Sequence, residues 1–181
     1  MALARSKVTA QGQISVPAEV RRKLGVGPGS VLEWDQEGEH IVGDQDLIKL
    51  AREAVETFNK ADWDGTMALL GASLYNEVGT GRQLRGKAEI LPALQGWRTA
   101  MPDVKGTVTN AFASGNKAVL EVTWEGTQTG PLDGPAGTLP PSGKRQTTPA
   151  AWVFEFEGDQ LKESRQYFDM MSFMQQIGAI P

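Results

Sequence analysis

The chain has 181 residues, 40% of them hydrophobic and 22% charged, a globular composition with room for a small and a medium domain. It has no cysteine, which excludes disulfides and thiolate metal sites, and no stretch near the roughly 20 apolar residues of a membrane span. With no signal-like apolar run after Met1, it reads as cytoplasmic.

The net charge of −4 is unevenly spread. Residues 1–32 carry +4, residues 33–43 carry −4, and residues 44–181 carry −4. A small basic front segment of this kind suits phosphate, and it equally suits a solvated surface. In that segment Val8 starts a strand, Gln11-Gly12 marks a turn, and Gln13 to Val16 alternates polar and apolar. Pro17 closes the strand and opens a helix over Ala18 to Leu24, with Gly25 as its C-terminal cap. Two further short strands, Val31–Trp34 and His40–Val42, are joined near Glu37-Gly38. Some 43 strand-rich residues bury little core alone, so the segment needs a partner, most simply a second copy.

Residues 44–181 follow a different rhythm. An amphipathic helix spans Asp46 to Asn59, with Asp44 or Asp46 as its cap, and a second helical piece carries Trp63, Met67 and Leu70. Short strands fall near Leu74–Glu77 and Gln83–Arg85. A helix from Lys87 to Met101 follows, its first turns delayed or bent by Pro92. Long strands are predicted at Gly106–Ala113, Lys117–Thr129, Arg145–Glu157 and Gln160–Asp169, and a short closing helix at Met170–Ile177. Gly130 to Gly143, rich in proline and glycine, reads as a long mobile loop. Helices first and an antiparallel meander afterwards give an α+β class, a curved sheet wrapped round helices with a pocket at its open end.

The pattern Lys7-Val-Thr-x-x-Gly-Gln-Ile-x-Val-Pro-x-x-x-Arg-x-x-Leu-Gly-Val-x-x-Gly resembles the swapped-hairpin DNA-binding domain of the AbrB/MazE/SpoVT group over residues 5–43. The resemblance implies a dimeric barrel of interleaved hairpins that offers basic side chains to DNA, here Arg5, Lys7, Arg21 and Arg22. Gln13 stands where some members have arginine and others glutamine. A dimerisation module without DNA remains the alternative.

Met101-Pro-Asp-Val104, Trp124-Glu-Gly-Thr-Gln-Thr-Gly-Pro-Leu132 and Tyr167-Phe-Asp-Met-Met-Ser-Phe-Met-Gln-Gln-Ile-Gly178 resemble SnoaL-like polyketide cyclases of the ketosteroid-isomerase and nuclear-transport-factor superfamily over residues 45–179. The resemblance implies Asp169 as a general base, whose pKa rises if it faces an apolar cavity. Strict period-two spacing puts Arg165 and Tyr167 on the face of Asp169, to steady an enolate or to pair with the carboxylate and silence it. Trp63, Tyr75, Asn76, Trp97, Trp124, Gln128, Trp152 and Phe154 are the candidate pocket, suited to a flat hydrophobic or aromatic small molecule, or else simply core. Gln128 replaces a histidine found in many relatives and cannot shuttle protons near neutral pH. The one histidine, His40, lies in the front segment, so hydrolytic triads that need histidine are excluded from the second, and no metal or cofactor is expected.

The expected organisation is a DNA-binding and dimerising module over residues 1–43 and a ligand-binding or cyclase-like domain over 44–181. The leading expectation is a DNA-binding regulator with a small-molecule sensor, at least a homodimer and away from membranes. The alternative is an enzyme of isomerase or cyclase type that uses Asp169. A vestigial pocket is the third reading.

Overall fold

The computed structural model describes residues 14–28, 30, 43–134 and 137–181. The chain divides into two compact units, Met1–Glu37 and Gly38–Pro181.

In the first unit the described element is helix α1, Ala18–Leu24. Pro17 precedes it at the cap position, and Gly25 ends it in the left-handed region at φ 67°, its N–H donating to the Arg21 carbonyl. Arg21 and Arg22 are exposed. Arg5, Lys7 and Gln13, and the strands expected from Val8, at Val31–Trp34 and at His40–Val42, lie outside the described residues; of the strand expected over Gln13 to Val16, Ser15 and Val16 are described and are not in a strand.

The second unit opens with α2, Asp44–Asn59, which buries Leu47, Ala51, Ala54, Val55 and Phe58 at helical spacing. Neither aspartate caps it. Gly43 holds the cap position, and Asp44 and Asp46 sit in the first turn, where their charge favours the helix dipole. Helix α3, Trp63–Leu70, is capped by Asp62, whose side chain accepts from the Gly65 N–H at 3.0 Å. Strands β1 (Leu74–Glu77) and β2 (Arg82–Arg85) form a hairpin, and α4 (Lys87–Ala100) runs through Pro92. Then come β3 (Lys105–Ser114), β4 (Lys117–Thr127), β5 (Leu132–Gly134), β6 (Gly137–Leu139), β7 (Arg145–Glu157), β8 (Gln160–Phe168) and α5 (Met170–Gln176).

Six strands make one sheet in the order β2-β1-β8-β7-β4-β3. The long strands pair antiparallel as expected, but β1 joins β8 in parallel, so the sheet is mixed rather than wholly antiparallel. Helix α2 packs on β3 and β4, and α5 packs on β7. The core between helices and sheet includes Leu47, Phe58, Leu70, Ile90, Leu120, Trp152 and Phe154. Among the described residues no helix is long and apolar enough to cross a membrane.

The described residues between Gly130 and Gly143 are built rather than unstructured. They contain the β5–β6 hairpin, and Gln128 ties it down. The Gln128 side-chain nitrogen donates to the Gly130 and Pro140 carbonyls, both at 3.1 Å, and its oxygen accepts from Ser142 N–H at 3.2 Å. Gly130 donates its N–H to the Ala100 carbonyl at the end of α4. A Cβ there would lie 2.1 Å from the Thr99 carbonyl oxygen, whereas one on Gly96, in α4, would meet nothing within 4 Å. Gly130→Ala is therefore expected to cost about 1–3 kcal/mol by overpacking, and Gly96→Ala to gain about 0.5–1 kcal/mol from helix propensity. Urea unfolding of the two variants checks the opposite signs.

Candidate functional site

The sheet register decides which side chains meet under the helices. Leu120, Trp152, Gln166 and Glu77 form one row across β4, β7, β8 and β1, and Trp124 with Thr148 forms another. Trp152, Gln166, Trp124 and Thr148 of these inner-face rows, with Ala54 and Phe58 from α2, Leu94 and Trp97 from α4, and Phe173 from α5, line a cavity of about 70 Å³. That space takes a few waters as it stands; it is about half of the roughly 150 Å³ that holds a benzene ring, so a ring molecule enters where the half-buried side chains of its wall give way. The wall is aromatic: Trp124 and Trp152 lie 6.4 Å apart, and Trp97 stands edge-on to Phe173 at 5.5 Å. Trp97, Trp124 and Phe168 are half-buried, while Trp152 is 2% exposed.

The polar groups of the wall are neutral. The Tyr75 hydroxyl donates to Gln166 Oε1 at 2.6 Å, and the Thr148 hydroxyl donates to Gln146 Oε1 at 2.5 Å. Burial first, and the nearby Glu77 charge second, push the Tyr75 phenol well above its ordinary value, so it remains a donor. Among the described residues no charged side chain lines the cavity.

Glu77 lies directly behind this wall. Its side chain is fully buried; Oε1 accepts from Trp97 Nε1 at 2.9 Å and Oε2 from Arg82. Burial raises its pKa, against the Arg82 charge and the hydrogen bonds from Arg82, Trp97 and Thr80. The carboxylate thus fixes the edge of one wall indole and leaves both of its oxygens occupied. Two features hold Trp124. Its six-membered ring covers Gly106, where a Cβ would come within 2.6 Å, and Phe58 stands edge-on to it at 5.2 Å. Asn59 clamps Gly106 through two 2.8 Å hydrogen bonds, its amide donating to the carbonyl and its oxygen accepting the N–H.

The predicted residues divide cleanly. Tyr75, Trp97, Trp124 and Trp152 line the cavity. Phe154 is packed between Trp152 and Phe156, Trp63 stands against Phe58 outside the wall, and Gln128 holds the loop hairpin. Asn76 lies on the other side of the sheet, donating to Glu163 Oε1 at 2.7 Å. Arg165 and Tyr167 do not face inward either. Arg165 reaches Glu163 at 3.0 Å and Glu155 at 3.5 Å, and Tyr167 is 44% exposed beside Pro149 and Ala151. Asp169 is exposed and caps α5, its carboxylate accepting from the Ser172 N–H at 3.0 Å. The shared face expected for Arg165, Tyr167 and Asp169 on the cavity therefore does not form.

The reason is a one-residue bulge. Phe156 faces Leu161, but the next residue, Glu155, faces Glu163, so Lys162 is extra and the alternation of β8 is reset. Ser164, Gln166 and Phe168 turn inward instead. Sequence reasoning missed Gln166 on this account. Gln146 and Thr148 were within reach of the pattern, since they share the parity of Trp152 on β7. Among the described residues no group of three or more acidic or histidine side chains gathers to hold a metal.

Residues 48–177 match the model of the SnoaL-like polyketide cyclase family, and residues 5–42 that of MazE, an antidote-toxin recognition family of bacterial antitoxins. No curated protein matches the chain. Among solved structures, a SnoaL-like protein from Jannaschia sp. CCS1 superposes with a TM-score of 0.67 at 19% identity, over 80% of this chain and 100% of that one. AclR from Streptomyces galilaeus gives 0.62 at 19% over 74% and 96%, and TsrD from Streptomyces laurentii 0.62 at 22% over 73% and 94%. These likenesses establish the fold of the second unit.

The raised pKa of Glu77 has a pH signature. The folded chain binds this proton more tightly than the unfolded chain, so its contribution is full below the ordinary value of 4.5 and is lost as pH rises through the raised value. Glu77→Gln keeps an acceptor for Trp97 and removes the titration. Its unfolding free energy is expected to fall less than that of the parent as pH rises from about 4 to about 8. Parallel curves from denaturant titrations would remove Glu77 as the cause.

Proposed function

The chain belongs to the SnoaL-like polyketide cyclase family, and from that premise we propose that its second unit is a small-molecule enzyme of cyclase or isomerase type. One observation carries this reading: an aromatic wall whose polar groups, Tyr75, Gln146, Thr148 and Gln166, are all neutral and partly satisfied by one another. Such a wall takes an uncharged cyclic molecule. Its chemistry lies in holding the molecule in one reactive conformation and steadying charge that develops on it with fixed donors.

Asp169 has a lesser place in this reading than the family resemblance gave it. It follows Phe168, a wall residue, but its own carboxylate stands in solvent and is engaged as a cap. Asparagine caps a helix as well as aspartate does. Asp169→Asn is therefore expected to retain stability, ligand binding and turnover within about threefold, where loss of a general base would cost about 10²–10⁴-fold.

The cavity itself is tested by calorimetry with 2-naphthol, a two-ring probe. Ala54, fully buried on α2, lines the space. Ala54→Leu is expected to fill it and to weaken binding at least about tenfold while leaving a cooperative unfolding transition. Unchanged affinity in a folded variant would place the probe elsewhere.

The MazE match over residues 5–42 supports a second reading, DNA binding by the first unit. Exposed Arg21 and Arg22 on α1 suit recognition of phosphate. On this reading the Arg21→Ala/Arg22→Ala chain binds duplex DNA more weakly and with a shallower salt dependence, by about one unit of slope for each phosphate left without its arginine. A slope that does not change would count against it.

A further inference from the structure

Three indoles line the cavity, and they are treated differently. Trp97 donates its N–H to Glu77 at 2.9 Å. The N–H groups of Trp124 and Trp152 are buried and have no partner. The other partnerless buried side-chain atoms among the described residues are Asn76 Oδ1, Arg82 Nε and Ser164 Oγ, and none of those residues lines the cavity. An indole nitrogen has one role, donation, whichever way the network around it is drawn.

The placement of Trp124 adds a direction. The edge of its six-membered ring made of Cε3, Cζ3 and Cη2 lies on Gly106 of β3. Nε1 is on the opposite edge of the ring system. On β7, Thr148 is the partner of Trp124 and Trp152 follows two inward positions along. Thr148 and Trp152 both line the cavity.

The remaining wall offers few acceptors. Tyr75 and Thr148 spend their hydroxyl protons on Gln166 Oε1 and Gln146 Oε1, so the two wall amides have their oxygens engaged from within. Gln146 Nε2 meets only the Met101 sulfur, at 3.5 Å, a weak acceptor. The wall is rich in free donors, carries no charge, and is otherwise aromatic.

We propose that Trp124 and Trp152 form an oxygen-binding subsite, their indole N–H groups donating to carbonyl oxygen of a one- or two-ring ketone held between the aromatic walls. This rests on the cavity being a ligand site and goes beyond it by naming the ligand's polar group and the residues that read it. A hydrocarbon of the same shape leaves both donors unpaired. A carboxylate ligand brings a charge that no cation in the wall balances.

The test uses the full chain and two probes of one skeleton, 1-tetralone, a two-ring aryl ketone, and tetralin, which lacks the oxygen. Calorimetry gives the affinities, and the side-chain ¹H–¹⁵N resonances of the five tryptophans, assigned through the bonds to their backbones, show which indoles engage. The ketone is expected to bind about tenfold or more tighter than the hydrocarbon, and the Trp124 and Trp152 indole protons to move downfield on its addition while Trp97 holds its shift. Trp124→Phe and Trp152→Phe keep an aromatic ring and remove the donor. Each is expected to weaken 1-tetralone about 3- to 10-fold and tetralin less than about twofold. Equal affinity for the two probes, or a ketone preference that survives the double Phe variant, overturns the subsite and leaves the cavity as an unselective ring site. Binding of neither probe overturns both the subsite and the ligand-site reading beneath it. Should a Phe variant fail to fold, the indole shifts in the parent chain decide.

Discussion

Lys162 has no partner of its own on β7, because Glu155 and Phe156 are consecutive while their partners, Glu163 and Leu161, are not. That insertion turns Gln166 and Phe168 toward the helices and sends Arg165 and Tyr167 to the outer face. A one-residue change of register moves a whole set of side chains across a sheet. Had β8 run without the bulge, Leu161, Glu163, Arg165 and Tyr167 would share a face, and a guanidinium and a carboxylate would lie under the aromatic core. With it, Arg165 joins Glu163 and Glu155 at the surface, where water screens them, and the cavity keeps only neutral groups.

The neutral interior then shapes the rest of the wall. Glu77, a carboxylate on the inner face behind the cavity wall, is taken out of reach by Trp97 and Arg82. A buried carboxylate without such partners would be costly. Its presence also orients Trp97, which stands between Glu77 and the ring of Phe173. On the far side, Asn59 and Gly106 provide a flat bed for Trp124. Both half-buried tryptophans are thus seated by polar groups outside the cavity. Trp152, on β7 next to the strand of Trp124 and against Tyr75 at 5.9 Å, is seated by packing alone.

Much of this fold was legible because its signals are local. The apolar spacing of α2 and α4, the alternation in β4 and β7, and the turn glycines all express periodicities that a short window contains. Tyr75, Trp97, Trp124 and Trp152 were legible as wall candidates for the same reason. The parallel pairing of β1 with β8 joins segments nearly ninety residues apart and leaves no local trace. Nor does the bulge, since Leu161-Lys-Glu-Ser164 reads as an ordinary strand. Asp169 was misplaced by that parity, and Asn76 by its closeness to Tyr75 along a strand whose successive residues face opposite ways. Gln128 was misplaced by chemistry carried over from relatives: an amide at the end of β4 is well suited to gathering backbone groups, and it gathers those of the β5–β6 hairpin. The same reading left Gly130 to Gly143 without structure, because proline and glycine counts say nothing of a distant side chain that pins a turn.

The chain joins a front segment with a MazE match and a SnoaL-like unit with an aromatic cavity. Most depends on the second of these, on the aromatic cavity being the place where a molecule binds. A crystal structure of the full chain grown with 1-tetralone tests that most directly. Density for the two rings is expected between Trp97, Trp124 and Trp152, with the ketone oxygen within about 3.2 Å of an indole nitrogen, the reach of a normal hydrogen bond. Ring density confined to the outer face, with ordered water or tighter packing in the cavity, would contradict it.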